Sequence, residues 1–268
     1  MLRSMYSGIS GLKNFQTKLD VIGNNIANVN TYGFKKGRAV FKDLISQTVS
    51  GATGPTDLRG GVNYKQVGLG SQIAAIDTIH SGGSTQFTGN TLDLAISGDG
   101  FFKVGEDGGE NSFYTRAGNF GLDQNGDLVD GEGRYVLDTG SAKINIPLDA
   151  TSMSIGQDGS VRYVQPGQDE LQGTQNISIT KFANPGGLEK VGGNLFQFSA
   201  NSGSPEDNFG APMLEGRGKI ESGFVEMSNV DLSEEFTEMI VAQRGFQANT
   251  RIITTSDEIL QELVNLKR

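Results

Sequence analysis

Apolar residues recur at steps of mostly three and four from the start of the chain: Leu2, Met5, Ile9, Leu12, Leu19, Ile22 and Ile26. That spacing marks one face of a helix. On a heptad frame Met5, Leu12, Leu19 and Ile26 share one position, and Leu2, Ile9, Gln16 and Gly23 share the other. The second row is the weaker, because Gln16 is polar and Gly23 leaves a gap. A buried amide can fix register at a cost in stability, and small residues let helices approach closely. The pattern predicts a helix running into the polar cluster Asn24, Asn25, Asn28 and Asn30 and closed by Gly33, where glycine supplies the left-handed cap.

The other end repeats the arrangement. Asp231 is a good N-cap, and Glu234 three residues on completes a capping-box pattern. Leu232, Met239, Phe246, Ile253 and Leu260 then fall every seven residues, with Phe236, Gln243, Thr250, Asp257 and Val264 as the partner row. Only Gly245 interrupts residues 231–268. One helix of roughly 35 residues, ~50 Å long, is expected. Mixed polar and apolar rows suit a helix with several different neighbours better than a two-stranded coiled coil.

Between these ends the period changes. Residues 34–75 read as an extended linker, with Gly, Thr, Ser and Pro55 concentrated between Ser50 and Gly61. Leu92, Leu94 and Ile96 alternate as in a half-buried strand. Turn dipeptides follow at Asp99-Gly100, Asp107-Gly108, Asn125-Gly126, Asp130-Gly131 and Asp158-Gly159. Between them lie the strand-like runs Phe101–Val104, Phe113–Arg116, Tyr135–Leu137, Ser160–Val164 and Ile177–Phe182. Gly121–Val129 and Gly156–Val164 are loosely alike, which reads as shared hairpin grammar and not as a repeat. The expected fold is α+β: long N- and C-terminal helices (1–33 and 231–268) packed as a coiled-coil-like inner domain, a linker (34–75), a β-rich middle domain (76–214) and a return linker (215–230).

Composition narrows the function classes. Cysteine and tryptophan are absent, which removes disulfide frameworks and thiolate metal sites. The net charge is −9 and unevenly spread: six basic residues against Asp20 give +5 over residues 1–38, residues 231–268 carry −3, and the middle holds −11. Ends of opposite sign favour their pairing. Few basic residues on an acidic chain exclude a nucleic-acid footprint. No apolar run approaches a membrane span, and no standard secretory signal is visible.

Candidate chemistry is sparse. Asp123-Gln124-Asn125-Gly126-Asp127 resembles the start of a calcium loop, but Leu128 stands where an EF-hand needs Gly and Arg134 where it needs Glu. A hairpin turn explains the same residues. His80 is the only histidine and no G-x-S-x-G elbow accompanies it, so it reads as a surface or packed residue. Gly218-Lys219 is followed by Ile220 and is no P-loop. Glu234 and Glu235 read as a solvated helix face or a source of ion pairs. Distant carboxylates could still meet in space as a glycosidase pair, although nothing points to one. No catalytic residue, cofactor or metal ligand is expected.

Four blocks carry a resemblance. SGLKNFQTKLDVIGNNIANVNTYGFK (Ser10–Lys35), LDLAISGDGFF (Leu92–Phe102), YTRAGNFGLDQNGDLV (Tyr114–Val129) and GFVEMSNVDLSEEFTEMIVAQRGFQANTRIITTSDEILQELVNLK (Gly223–Lys267) resemble the signatures of bacterial flagellar rod and hook axial proteins. The resemblance implies terminal helices lining an axial channel, a β domain outside them, and a hollow helical homopolymer transmitting motor torque to the filament. It also implies other axial proteins above and below and export through the flagellar type III apparatus without a cleaved signal. Neither nucleic acid nor membrane insertion is implied. The short hook proteins of Gram-positive bacteria are weighed slightly ahead of distal rod proteins, although Ser46–Gly68 resembles the distal-rod type. The expected subunit-packing residues are Met5, Ile9, Leu12, Leu19 and Ile26 on one helix and Leu232, Phe236, Met239, Phe246, Ile253 and Leu260 on the other. A secreted β-domain binding protein or adhesin, and a hydrolase on the β scaffold, are the alternatives of other classes.

Overall fold

A computed structural model describes residues 2–55, 59–106, 108–109, 111–167, 171–173, 175–204 and 209–266. The chain is α+β and divides into two compact units: residues 1–27, 37–78 and 231–268 form the first, and 28–36 with 79–230 the second.

The first unit is built on two helices, α1 (Leu2–Ala27) and α2 (Leu232–Leu266). Asp231 caps α2 as its position suggests: its Oδ1 accepts the amides of Ser233 at 2.8 Å and Glu234 at 3.3 Å. Helix α1 stops at Ala27, short of the expected end at Gly33, so Asn24 and Asn25 lie within it. The backbone turns at Asn28–Thr31, Gly33 follows at φ +68°, and residues 28–36 belong with the second unit. One long hairpin comes almost entirely from residues expected as an extended linker. Strand β1 (Gly37–Asp43) pairs antiparallel with β4 (Ser71–Thr78), and β2 (Ser46–Ser50) with β3 (Lys65–Gly68). This segment, with its run of Gly, Thr and Ser, thus extends as a hairpin once each backbone row finds a partner, because an extended chain satisfies its amides and carbonyls only in pairs.

The second unit is antiparallel throughout. Its main sheet runs, neighbour to neighbour, through Glu189–Gly192, Leu195–Gln197, Phe113–Thr115, Phe101–Gly105, Tyr135–Val136, Leu128–Val129 and Gly121–Leu122. Ile179–Thr180 pairs with both Phe101–Gly105 and Phe209–Gly210. Leu94–Ser97 pairs with Lys219–Ser222, and Thr85–Phe87 with Phe224–Glu226, so residues expected as a return linker supply two paired strands. The alternation at 92–96 predicts a half-buried strand. In the fold Leu94, Ala95 and Ile96 are all buried, since this strand is covered on both faces. The core gathers Leu94, Phe102, Val104, Leu128, Ile144 and Ile177, with a second cluster of Phe101, Tyr114, Phe182, Leu188 and Phe196.

The turn dipeptides act as punctuation with one displacement. Gly100, Gly108, Gly126 and Gly159 take positive φ, but at Asp130-Gly131 the positive φ falls on Gly133. There Asp130 Oδ1 accepts the amides of Glu132 and Arg134, both at 2.9 Å, and holds a wider turn. Asp107 lies outside the described residues. The two look-alike pieces share one turn geometry: Gly126 N–H donates to Asp123 O at 2.8 Å and Gly159 N–H to Gly156 O at 3.0 Å.

Candidate assembly surface and a buried ionic cluster

Helices α1 and α2 pack antiparallel, and small residues bring them together. A Cβ added at Gly8 would lie 3.4 Å from Ile253 Cγ1, one at Gly11 2.9 Å from Asn249 Oδ1, and one at Gly245 2.5 Å from Phe15 Cζ. Two polar contacts fix the register. Lys18 pairs with Glu238. Asn25 donates to Glu235 Oε2 at 3.1 Å and to Gly37 O at 2.9 Å, and its own Oδ1 accepts Gly37 N–H at 2.9 Å. Asn25 therefore ties the end of α1 to the first turn of α2 and the start of β1. Glu235, read from sequence as part of a solvated face or as a source of ion pairs, is buried here with Asn25 donating to it. Strands β1 and β4 also pack on α1: Asn14 Nδ2 donates to Ser71 Oγ at 2.8 Å, and the rings of Phe15 and Phe41 meet edge to face at 6.2 Å.

The buried row of α2 is Glu235, Ala242, Asn249 and Ser256 (249 partly open), a heptad row made of small and polar residues. Met239, Ile253 and Leu260 flank it half-buried, as do Met5, Leu12, Leu19 and Ile26 on α1. Ile9, Leu232, Phe236 and Phe246 are exposed in the single chain. A second apolar stripe escapes heptad counting. Val241, Ile252, Ile259 and Leu263 are all about half exposed, from 43% to 54%. At ~100° per residue they share a face about a quarter-turn from the buried row. Their steps of 11, 7 and 4 are the signal that could have revealed it. Among the described residues no helix is long and apolar enough to cross a membrane.

Charge divides with the units. By sequence the first holds eleven basic and eleven acidic residues, and the second eleven basic and twenty acidic, so the whole net charge of −9 resides in the β unit. The helical unit can meet copies of itself without net repulsion.

All four signature blocks contribute to one cluster inside the β unit. Glu226 Oε1 accepts Lys35 Nζ at 2.6 Å and Gly83 N–H at 2.9 Å, and Oε2 accepts Arg116 Nη1 at 3.1 Å. All three ionic side chains are at most 4% exposed. Lys35 also donates to Ser81 O at 2.9 Å, and Arg116 Nη2 to Gly98 O at 2.8 Å. Burial lowers the Lys35 pKa, and the Glu226 carboxylate opposes that shift. Asn229 closes the cluster: its Oδ1 accepts Lys36 N–H at 2.8 Å and its Nδ2 donates to Ile79 O at 2.8 Å. The sequence reading missed this cluster, because nothing in a linear pattern marks which of 53 charged residues meet.

The chemical candidates resolve into structure. The turn at Asp123–Asp127 is a hairpin, with Asp127 buried against Asn145 Nδ2 at 2.7 Å and Lys143 Nζ at 2.9 Å. Burial alone would raise the Asp127 pKa, but the bonds from Asn145 and Lys143 outweigh it and hold the carboxyl below its usual value. Among the described residues no group of three or more His, Asp or Glu is placed to hold a metal. His80 is packed between Phe101 and Phe196.

Comparison with known proteins agrees with the four blocks. Residues 5–35 match the family described as Flagella basal body rod protein, 95–163 the Flagellar hook protein FlgE/F/G D1 domain, and 221–266 the Flagellar basal body rod FlgEFG protein C-terminal. The Flagellar basal-body rod protein FlgG of Bacillus subtilis (strain 168) is 60% identical over 268 residues, covering all of both chains. The Flagellar basal-body rod protein FlgG of Borreliella burgdorferi is 41% identical over all of both chains. The Flagellar hook protein FlgE of the same organism is 34% identical, covering both chains in an alignment of 445 residues.

Proposed function

Because this chain belongs to the flagellar rod and hook axial protein family, a family of structural subunits of the flagellum, we propose that it is a subunit of the basal-body rod. The observation that carries this is the 60% identity to a rod protein over the full length of both chains. The hook relative is 34% identical and its alignment runs to 445 residues, well beyond the 268 of this chain. On this reading the order taken from the sequence, hook slightly before distal rod, is reversed.

The role is mechanical and not catalytic. Copies stack into a helical tube with other axial proteins above and below, after export through the flagellar type III apparatus without a cleaved signal. The packing residues would be Met5, Ile9, Leu12, Leu19 and Ile26 with Leu232, Phe236, Met239, Phe246, Ile253 and Leu260, joined by the stripe Val241, Ile252, Ile259 and Leu263. Exposure of this stripe in the single chain supports a second copy as its cover, since contiguous apolar surface is costly in water. Two experiments test the reading. Deleting the gene and imaging basal bodies separates rod from hook: a rod subunit leaves a truncated rod with no hook, whereas an intact rod lacking only the hook would refute the proposal. Val241→Asp and Ile252→Asp should leave the monomer folded, because both sites are open, yet abolish polymerisation. Normal basal bodies from both variants would remove the stripe from the interface.

A further inference from the structure

His80 is partly exposed as a residue, but its two ring nitrogens are shielded in an aromatic cage that does not suit a charged ring. Its ring centroid lies 5.6 Å from that of Phe101 and 5.4 Å from that of Phe196, both edge to face. Nδ1 and Nε2 are buried and have no hydrogen-bond partner among the described residues. Three cations lie near the cage. Lys35 is bonded to the carbonyl of Ser81, the next residue after His80, at 2.9 Å, and Arg116 stacks over Phe101 at 5.3 Å. Lys190 faces the cage from the strand Glu189–Gly192, with its ammonium 6.0 Å from the Phe196 ring centre. The carboxylate of this cluster, Glu226, is already engaged by Lys35, Arg116 and Gly83 N–H.

We propose that the caged His80 is an acid-sensitive latch on the segment Ile79–Gly83 of the β unit. A neutral imidazole fits an aromatic cage. An imidazolium brings a second N–H donor without an acceptor and a further positive charge beside three others. It must leave the cage to be solvated, and leaving it strains the backbone bonds of its neighbours. Those bonds are Ser81 O to Lys35 Nζ, Ile79 O to Asn229 Nδ2 and Gly83 N–H to Glu226 Oε1. Acid would therefore loosen the segment that lines the buried ionic cluster. The inference stands independently of the rod assignment.

Burial, with Lys35, Lys190 and Arg116 adding to it, pushes the His80 pKa down from 6.5 to about 4. A folded-state value below the unfolded one means that the open state binds the proton more readily. The closed state keeps its full advantage above the unfolded value and loses it progressively as pH falls from 6.5 towards 4. Between pH 7 and pH 4.5 this group alone shifts the opening equilibrium by roughly 60-fold.

One histidine makes the test direct. The imidazole resonances of the full-length monomer, followed by NMR across pH 7.5 to 3.5, should titrate near 4, and the protection of the Gly83 amide relative to its intrinsic exchange rate should fall as pH drops from 6.5 towards 4. In His80→Phe, where an uncharged ring fills the cage, the drop in unfolding midpoint between pH 7 and 4.5 should be clearly smaller than in the wild type. A titration near 6.5, or equal acid losses in wild type and variant, would overturn the proposal. If His80→Phe fails to fold, the wild-type titration and the Gly83 exchange decide it alone.

Discussion

Lys35 Nζ lies 2.6 Å from Glu226 Oε1, and neither side chain is more than 2% exposed. The two residues are 191 positions apart, one in each terminal signature block. Arg116 from a central block shares the same carboxylate. One acid is thus asked to neutralise two buried cations. Glu226→Gln leaves both uncompensated and should cost about 3–5 kcal/mol, lowering the melting temperature of the β unit by about 10 °C. Lys35→Met should cost distinctly less, because Glu226 keeps Arg116 and the Gly83 amide. Calorimetry on both variants checks the order, and equal losses would show that the acid is not the centre of the cluster.

Gly33 enforces the chain's entry into the same cluster. It adopts φ +68° and donates its amide to Glu226 O at 2.8 Å. A Cβ there would lie 2.4 Å from Ala117 N, a backbone atom that cannot rotate aside. Gly33→Ala should therefore cost at least about 2 kcal/mol from backbone strain before the clash is relieved. Urea unfolding should register a lower midpoint with an unchanged slope.

Gly245 sets the distance between the terminal helices. The nearest obstacle to a side chain is the ring of Phe15, which can move. Gly245→Ala gains about 1 kcal/mol of helix propensity and should come out near neutral. Gly245→Leu overfills the seam, costs about 1–3 kcal/mol, and should weaken the helical circular dichroism of the monomer at elevated temperature. Identical melting of the two variants would place Gly245 outside the seam.

Asp127 should make one acid-labile contribution. Its carboxyl is held below the ordinary value of 3.8 by Asn145 and Lys143 despite its burial. A depressed folded-state pKa stabilises the fold above the unfolded value, and the contribution is lost as pH falls through the folded one. Asp127→Asn removes this dependence. Stability of wild type and variant, measured from about pH 5 to about pH 2, should converge at the acid end, and parallel curves would contradict the assignment.

Much was legible in the linear pattern because it rests on local chemistry. The 3.6-residue period at both ends gave two helices, Asp231 gave the start of α2, and Asn-Gly and Asp-Gly pairs gave most hairpin turns. Four long signature blocks gave the family. Other features depended on partners distant in the chain. Heptad counting found Met239, Ile253 and Leu260, but which row is buried depended on Gly8, Gly11 and Phe15 reaching it from 220 and more positions away. Residues 34–75 read as a linker because Gly, Thr, Ser and Pro55 gather between Ser50 and Gly61, and stretches of 34–75 and of the return linker 215–230 became strands because a backbone row is stabilised by its mate and not by its own side chains. The meeting of Lys35, Arg116 and Glu226, and the shielding of the His80 ring nitrogens, required the β unit to fold. Charge pairing and burial are properties of position in space, and sequence separation does not record them.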